Sequence, residues 1–460
     1  MMERLVFILG LCAFAFGYGV VTMQYEVFPY HVLKEAKLGI EAWAGVDRHN
    51  RRFPKAFEKF EEGAAPRPQA KQLAANAGDE YVLVTGGPYQ LMERCPRYGC
   101  MAWITDRSGK IVHTWEVNLD ELWSGLEGIA GDVNALSLYP VGMALGKDGS
   151  LVVSFQGRET YPVHIGIMKA DRDGKLLWKR FDRSHHWLAM DAAGQIYTPF
   201  SAYVKDLKHI AGSGVTVKCA TGESGVDGIR ILGPEGKPVR ELTLLDNFVR
   251  AGYSGLFYAV RDGCNLTHLN SVALASASVA KALPGAAVGD LLVSLRETSS
   301  VALLDGKTAA VKYMVAGRTA AQHGAQFLPD GTVIVLDNLG GDRKLGGTRI
   351  VRINLVTGTS ETVFPKGDEQ DLLPFSTETA GQINVSADGK RALLSVTHQG
   401  RVIEIDVASG KPLWVYDNTH DIAKFLETAE IRAQTTRARF ATYGAYYVDG
   451  TGIDFLKELK

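Results

Sequence analysis

The sequence predicts an all-β protein: a six-bladed β-propeller preceded by an N-terminal transmembrane or signal-anchor helix and a short helical stalk. Three observations lead to this fold class. The 460 residues include 50 glycines, well above the average share of about 7%. Turns centred on glycine recur along the chain between apolar strands. The first 23 residues, in contrast, are almost entirely apolar.

The N-terminal segment, residues 1–23, has the length of a membrane span. Leu5 to Met23 contains no charged residue and no proline, and a helix of that length measures about 28 Å, close to the hydrocarbon thickness of a bilayer. A cleaved signal peptide is the alternative, although the one small-x-small site, Ala13-Phe14-Ala15, comes early. We therefore expect an anchor or a signal peptide, and export of the rest of the chain.

Residues 24–79 are expected to form a stalk and linker. Tyr30 to Trp43 has the pattern of one amphipathic helix, and Ala64 to Pro68 reads as a linker because it combines alanine and proline around one arginine. The predicted organisation is an anchor at 1–23, a stalk and linker at 24–79, a propeller domain at 80–448 and a tail at 449–460.

A repeating turn pattern predicts the propeller. Its glycines are 52 to 70 residues apart, and a second turn precedes most of them, so that each unit has four strands and two hairpins. The six turns are Ser108-Gly109-Lys110, Asp173-Gly174-Lys175, Glu235-Gly236-Lys237, Asp305-Gly306-Lys307, Thr357-Gly358-Thr359 and Ser409-Gly410-Lys411. Four-stranded units at this period are typical of propellers.

The predicted blades start near residues 80, 139, 186, 266, 322 and 380. The β-rich stretch from Arg437 to Val448 is expected to close the ring beside the first blade. An array of β-sandwiches is the alternative, but it explains the regular pair of turns less well.

Composition excludes some classes of protein. Lys and Arg together number 50 against 51 Asp and Glu, so no basic surplus is available for nucleic acid. Five cysteines are too few for a disulfide-dominated scaffold. Four of them form two possible disulfide pairs, Cys95 with Cys100 and Cys219 with Cys264, with free buried thiols as the alternative.

Three histidines occupy similar places in three units. Counting back eight residues from the turn glycines gives His186 before Gly194 and His323 before Gly331. His268 starts an equivalent strand whose turn is displaced by an insertion, roughly residues 275–287. Such positions begin the innermost strand of a blade and face one mouth of the central channel, so the three imidazoles are predicted to converge there.

Arg296, at the end of the next strand of the His268 blade, adds a positive charge to this predicted cluster. Three imidazoles can hold zinc, but no carboxylate accompanies them in sequence and Arg296 would repel a cation. A cationic cluster suits an anionic group better. Fixed donors of this kind stabilise the spread negative charge of sulfuryl or phosphoryl transfer, and a neutral imidazole can act as the nucleophile.

Four local motifs resemble those of the bacterial arylsulfate sulfotransferases, and the resemblance covers most of residues 80–420. The motifs are Ser184-His185-His186, Thr267-His268-Leu269-Asn270-Ser271, Ser294-Leu295-Arg296, and Gln322-His323-Gly324-Ala325 with Leu336-Asp337-Asn338. In order and context the set is fairly specific.

The resemblance implies a periplasmic propeller enzyme that moves a sulfuryl group from an aryl sulfate to a phenol, without a nucleotide donor or other cofactor. His323 would be the nucleophile that becomes a sulfohistidine, and His186, His268 and Arg296 would bind and stabilise the sulfate oxygens. The motif residues expected to bind substrate are His185, Asn270, Gln322 and Asn338. The expected location is the bacterial inner membrane, as a single-pass protein with its propeller in the periplasm, or the periplasm itself after cleavage.

Two positions depart from the family pattern. Trp187 follows the histidine pair where Asp is frequent, and Gly324 follows Gln-His where Asp or Thr is frequent. The main alternative function is a non-catalytic, membrane-anchored propeller that serves as a binding or scaffold module. A metal or quinone enzyme, and a lyase or hydrolase with water as acceptor, are further alternatives.

Overall fold

The computed structural model describes residues 2–25, 27–30, 57–59, 70–87, 90–131, 138–157, 160–210, 212–260, 262–367, 375–420, 438–449 and 453–457. The chain forms two compact units, residues 1–53 and 54–460. The first contains the helix Met2–Tyr25. Within it, Val6–Tyr25 has a mean hydropathy of 2.1 and, among the described residues, is the one helical stretch long and apolar enough to cross a membrane. The predicted stalk helix falls almost entirely outside the described residues.

The second unit is a six-bladed β-propeller, as predicted. Each blade is an antiparallel sheet whose strands follow one another from the innermost to the outermost. In that order, blade 1 has Ala445–Val448, Tyr81–Thr85, Ala102–Thr105 and Ile111–Trp115. Blade 2 has Leu138–Leu145, Leu151–Gly157, His164–Ala170 and Leu176–Arg180. Blade 3 has Ala189–Met190, Ile196–Lys205, Glu223–Leu232 and Pro238–Thr243.

The second half of the ring follows the same order. Blade 4 has Leu269–Leu274, Leu291–Leu295, Ser300–Leu304 and Val311–Ala316. Blade 5 has His323–Phe327, Val333–Asp337, Arg349–Ile353 and Ser360–Phe364. Blade 6 has Gln382–Val385, Arg391–Val396, Arg401–Asp406, Pro412–Asp417 and a fifth, outermost strand, Ala70–Gln72.

The remaining elements are short. In the described part of the chain, two small sheets lie outside the blades. One consists of Phe57–Lys59, Ala438–Phe440 and Thr419–His420, and the other of Ala130–Gly131 and Thr160–Tyr161. Among the residues that the structure describes, the helices of this unit are Leu119–Trp123, Leu245–Arg250, Gly255–Tyr258, Ala277–Ala282 and Asp454–Lys457, with 3₁₀ turns at Arg343–Leu345 and Thr397–Gln399.

The sequence forms these blades because apolar strands alternate with turns whose backbone conformation favours glycine. Gly194 and Gly331, the two glycines from which the histidines were counted, have φ of 79° and 82°, in the left-handed region that side chains disfavour. Between the turns, strands such as Val333–Asp337 are buried along their whole length. Their side chains pack between neighbouring blades, and the innermost strands contact one another around the ring.

The chain ends close the ring as the sequence predicted. Ala445–Val448 pairs with Tyr81–Val84 and becomes the innermost strand of blade 1. The propeller also extends beyond its predicted limits of 80 and 448. Ala70–Gln72, placed in the linker by the sequence, pairs with Trp414–Tyr416 of blade 6. The tail helix Asp454–Lys457 buries Phe455 and Leu456 in the core shared by blades 1 and 2.

Candidate active site

Three histidines from three blades meet at the start of the innermost strands. One ring nitrogen from each of His186, His268 and His323 lies within 4.8 Å of the others. The ring centre of His186 is 5.0 Å from that of His268 and 6.4 Å from that of His323. His186 and His323 are buried, whereas His268 is half-buried. The fold thus brings together imidazoles that are far apart in sequence, at one mouth of the channel.

Each cluster histidine has its Nδ1 engaged by a neighbour. For His323 the neighbour is Asn338, whose Oδ1 lies 2.7 Å from Nδ1. The amide nitrogen of Asn338 donates to the carbonyls of Thr377 and Ala380 at 2.9 and 2.8 Å, which fixes the amide orientation. Asn338 Oδ1 is therefore an acceptor, so Nδ1 of His323 carries the proton. In the neutral ring the lone pair is then on Nε2.

His268 has the opposite tautomer. The Asn265 side-chain nitrogen lies 2.6 Å from Nδ1 of His268 and donates to it, which leaves the proton on Nε2. Arg296 is held beside it, because its backbone nitrogen donates to the carbonyl of His268 at 3.2 Å. Burial, followed by the charge of Arg296, lowers the pKa of His268 well below its usual value. His268 is thus a neutral hydrogen-bond donor.

His186 is a neutral donor as well. Tyr139 donates its hydroxyl proton to Gln156 Oε1 at 2.6 Å, so the Gln156 side-chain nitrogen is turned to donate to Nδ1 of His186 at 3.3 Å. Nδ1 is then an acceptor and Nε2 carries the proton. Burial, and then the neighbouring imidazoles, lower the pKa of His186 well below its usual value.

Arg296 supplies the positive charge. Its guanidinium donates to Glu297 at 2.8 Å, and its Nε atom is buried without a hydrogen-bond partner among the described residues. The side chain retains 22% of its exposure, so it can reach a ligand at the mouth. An arginine with one unsatisfied buried donor next to two imidazole donors matches an anion with several oxygens.

A second layer of polar residues lies behind His186. His185 is fully buried, and its Nδ1 is 2.6 Å from Nδ1 of His186. Its Nε2 is 3.0 Å from Ser201 Oγ and 3.6 Å from Asp227 Oδ1. The ring of His164 stacks on that of His185 with centres 3.9 Å apart. The sequence assigned no role to His164, Ser201 or Asp227.

The four residues predicted to bind substrate are all buried beside the cluster. Asn338 contacts His323, and His185 contacts His186. Gln322 donates to the carbonyls of Leu295 and Ser300 at 2.9 Å each, and Asn270 donates to the carbonyl of Gln322 at 2.7 Å. Asn270 Oδ1 is buried with no hydrogen-bond partner among the described residues. These contacts hold the strands that carry the histidines.

The cluster fits an anion better than a metal ion. A metal needs a lone pair from each ligand, but Nδ1 of His186 and Nδ1 of His268 each accept a hydrogen bond, so the Nε2 atoms of both rings carry protons and offer no lone pair. With these tautomers, His186 and His268 present N–H groups and His323 presents a lone pair. Arg296 adds a positive charge. Sites of acyl, phosphoryl or sulfuryl transfer need these groups: a nucleophilic nitrogen, N–H donors and a positive charge such as a guanidinium.

A family model described as arylsulfotransferase (ASST) matches residues 142–419, more than half of the chain. The chain belongs to the arylsulfotransferase family. The matched region contains all three cluster histidines and Arg296. No curated protein sequence matches this chain.

Solved structures show only weak likeness to this arylsulfotransferase-family chain. A Bacteroides caccae protein of unknown function has 12% identity and a TM-score of 0.46, with 81% of this chain and 99% of that chain covered. Virginiamycin B lyase from Staphylococcus aureus has 11% identity and a TM-score of 0.35, with 62% and 88% covered. Because the identities and TM-scores are this low, neither structure supports a conclusion about function.

The two departures from the family pattern have structural explanations. Gly324 has φ of 64°, and a Cβ there would lie 3.1 Å from Gln382 Cα, so glycine lets the chain bend directly after His323. Trp187 is buried, its ring centre lies 5.7 Å from that of His323, and its indole nitrogen donates to the carbonyl of Tyr443 at 3.0 Å. Tyr443 in turn stacks on Tyr139. An aromatic group thus flanks the histidines of this arylsulfotransferase-family site.

The chain also has a cavity of about 610 Å³ at the opposite end of the inner strands, with residues of blades 1 to 6 in its lining. None of the cluster histidines lines it. Both cysteine pairs named from the sequence are joined in the structure, Cys95 to Cys100 and Cys219 to Cys264. The second disulfide lies directly before Asn265, the partner of His268.

Proposed function

We propose that this protein transfers a sulfuryl group from an aryl sulfate to a phenolic acceptor through a sulfohistidine at His323. Membership of the arylsulfotransferase family supports the reaction type. The observation that carries the assignment of the nucleophile is the hydrogen bond from Nδ1 of His323 to Asn338, because it leaves the lone pair of the neutral ring on Nε2.

In the first half of the reaction, Nε2 of His323 forms a bond to sulfur as the bond from sulfur to the aryl oxygen breaks. The Nε2–H group of His268 and the guanidinium of Arg296 hold the sulfuryl oxygens, and the Nε2–H group of His186 faces the aryl oxygen. Such donors stabilise a transition state whose charge spreads over those oxygens, and removing one typically costs about 100- to 1000-fold in kcat. The aryl oxygen leaves with the proton from Nε2 of His186.

In the second half, a phenol attacks the sulfur of sulfohistidine and gives its proton to Nε2 of His186, and the bond from sulfur to Nε2 of His323 breaks, which restores the neutral ring. The aromatic residues Trp187, Tyr139 and Tyr443 beside the histidines suit aryl groups on both donor and acceptor. Burial of His323 and His186 limits water, which would otherwise compete with the phenol.

The protein as a whole is proposed to be anchored in a bacterial inner membrane by its first helix, with the propeller in the periplasm. The length and hydropathy of Val6–Tyr25 support an anchor or a signal sequence. Membrane fractionation combined with protease treatment of spheroplasts tests this placement. A propeller that is protected from protease until the cells are lysed would contradict it.

The nucleophile is tested by intact mass spectrometry after mixing with 4-nitrophenyl sulfate in the absence of acceptor. We expect a gain of one sulfuryl group, which is lost when phenol is added and does not form in His323→Ala. The exposed His209→Gln variant is the control and should be modified like the unsubstituted protein. A folded protein that releases no nitrophenol and gains no mass would support the scaffold alternative instead.

A further inference from the structure

A proton must lie between His185 and His186, and the structure indicates its position. The two Nδ1 atoms are 2.6 Å apart, a distance at which one nitrogen donates and the other accepts. Gln156, oriented by Tyr139, donates to Nδ1 of His186. Nδ1 of His186 is therefore the acceptor, and Nδ1 of His185 carries the proton.

The other nitrogen of His185 is a donor as well. Ser201 donates its one hydroxyl proton to Asp227 Oδ1 at 2.6 Å. Ser201 Oγ therefore accepts from Nε2 of His185, 3.0 Å away. A histidine that donates from both nitrogens is an imidazolium, and the carboxylate of Asp227, 3.6 Å from Nε2, balances its charge.

The hydrogen bonds to the carboxylate of Asp227 keep it ionised. Ser201, Thr267 and the backbone nitrogen of Leu269 all donate to it, the last at 2.8 Å. Burial alone would raise the pKa of Asp227, but the neighbouring His185 and the hydrogen bonds from Ser201 and Thr267 lower it below its usual value. A buried carboxylate with this many donors stabilises a buried cation beside it.

We propose that His185, held protonated by Ser201 and Asp227, is a proton relay that makes His186 the general acid and base of the reaction. This inference rests on the proposed function. As the aryl oxygen leaves, it takes the proton from Nε2 of His186, and Nδ1 of His186 takes the proton from Nδ1 of His185. His186 stays neutral throughout, and His185 becomes neutral.

The second half of the reaction reverses these transfers. The attacking phenol gives its proton to Nε2 of His186, and the proton on Nδ1 of His186 returns to His185. His164, stacked on His185, does not compete for the charge, because burial and then the charge of His185 lower its pKa well below the usual value. His185 thus acts through His186 and touches no substrate itself.

The test compares aryl sulfates whose leaving phenols differ in pKa, from 4-nitrophenyl to phenyl and 4-methylphenyl sulfate. General acid catalysis contributes about 100- to 10000-fold, but only where the leaving group needs a proton. The variant is His185→Asn, whose amide nitrogen takes the place of Nδ1 and can still donate to Nδ1 of His186 but cannot give up a proton. We expect kcat/KM to fall at least about 100-fold for 4-methylphenyl sulfate and less than about 3-fold for 4-nitrophenyl sulfate.

Asp227→Asn is the second variant. Its kcat/KM should likewise fall more for 4-methylphenyl sulfate than for 4-nitrophenyl sulfate. Asp290→Asn, which changes a buried carboxylate in blade 4 away from the site, is the matched control and should leave the dependence on the leaving group unchanged. Equal losses across all three sulfates would show a purely structural role for His185 and overturn the relay. If the unsubstituted protein transfers no sulfuryl group, the proposed function itself fails, which is a separate outcome.

Discussion

The pairing of His323 with Asn338 is a single contact that decides which nitrogen can react. Because Asn338 is itself fixed by two backbone carbonyls, the imidazole cannot exchange its tautomer without breaking three hydrogen bonds. A carboxylate or hydroxyl after His323 is therefore unnecessary for orientation, and Gly324 is compatible with an active site.

Replacing Asn338 tests this orientation. Asn338→Leu should lower kcat about 10- to 100-fold, since a misplacement of about 1 Å in a reacting group can cost about 100-fold. It should also lower the free energy of unfolding by about 1–3 kcal/mol, because two buried carbonyls lose their donor. Steady-state kinetics and urea unfolding measure the two effects. An unchanged kcat in a variant that still requires His323 would contradict the assigned tautomer.

Sequence reasoning reached only part of the site. The count from the turn glycines named His186 and His323, and the equivalent strand of the next blade added His268 and Arg296. The structure brings the three histidines together because innermost strands share one mouth, and it holds Arg296 beside His268. The count could not find Asp227, which lies within the third strand of its blade with no motif around it. His164 begins a third strand at the same mouth, so extending the count beyond the innermost strands would have pointed to it.

The count from the turns also misses a difference in backbone position. In blade 5, His323 pairs with Leu336, which lies five residues after Gly331. In blade 3, the residue five positions after Gly194 is Pro199, and its carbonyl accepts from the backbone nitrogen of His185 rather than that of His186. Blade 3 therefore has one more residue than blade 5 between the paired histidine and the turn glycine. His186, with φ of 53°, turns away from the regular strand, which no residue spacing could have predicted.

A buried cluster of charged side chains holds the closing strand of blade 1 against blade 6. Glu404 is fully buried, and its carboxylate accepts from Arg107 and Arg391 at 3.1 Å each and from the Tyr447 hydroxyl at 2.9 Å. Glu80 binds Arg391 as well. The cluster therefore links Arg107 and Tyr447 of blade 1, together with Glu80, to Arg391 and Glu404 of blade 6.

Glu404→Gln should destabilise this junction. Removing one partner of a buried ion pair leaves the other charge uncompensated, and we expect the free energy of unfolding to fall by about 3 kcal/mol. Lys205→Ala, which breaks an exposed ion pair with Glu223, is the control and should cost less than about 1 kcal/mol. Urea unfolding compares the two. Equal effects would mean that the cluster does not stabilise the ring closure.

The elements were more predictable than the site because the signal for them is repeated. Six turn glycines and alternating apolar strands indicated the blade number, and the β-rich C-terminus indicated the closure. The strand Ala70–Gln72 was missed because three residues carry no periodicity. Its place in the fold depends on the exposed edge of the strand Pro412–Asp417, which sequence spacing does not reveal.

For the whole molecule, the buried histidines predict how stability changes with pH. Burial is the first cause that lowers the pKa of His113, His164, His186 and His268 in the folded protein. Below the unfolded value of about 6.5, the unfolded chain therefore binds more protons than the folded one, so stability falls as the pH falls.

Lowering the pH from 7 to 5 should thus reduce the free energy of unfolding, by up to about 1.4 kcal/mol per pH unit for each of these histidines. Carboxylates with a lowered pKa add to this only below about pH 4.3. Urea unfolding at pH 7, 6 and 5 measures the slope, and His113→Gln, outside the site, should reduce it. A stability that is constant or rises toward pH 5 would contradict the buried, neutral state of these histidines.

The strand that closes the ring has a consequence for how the chain folds. Blade 1 is completed only when Ala445–Val448 pairs with Tyr81–Val84, a strand made far earlier in synthesis. Contacts between such distant residues slow folding, so the nascent protein spends its synthesis with blade 1 open and its edge strands unpaired. Fragments that stop before this last strand would be vulnerable to aggregation and proteolysis, and the cell would accumulate the propeller only as a finished ring.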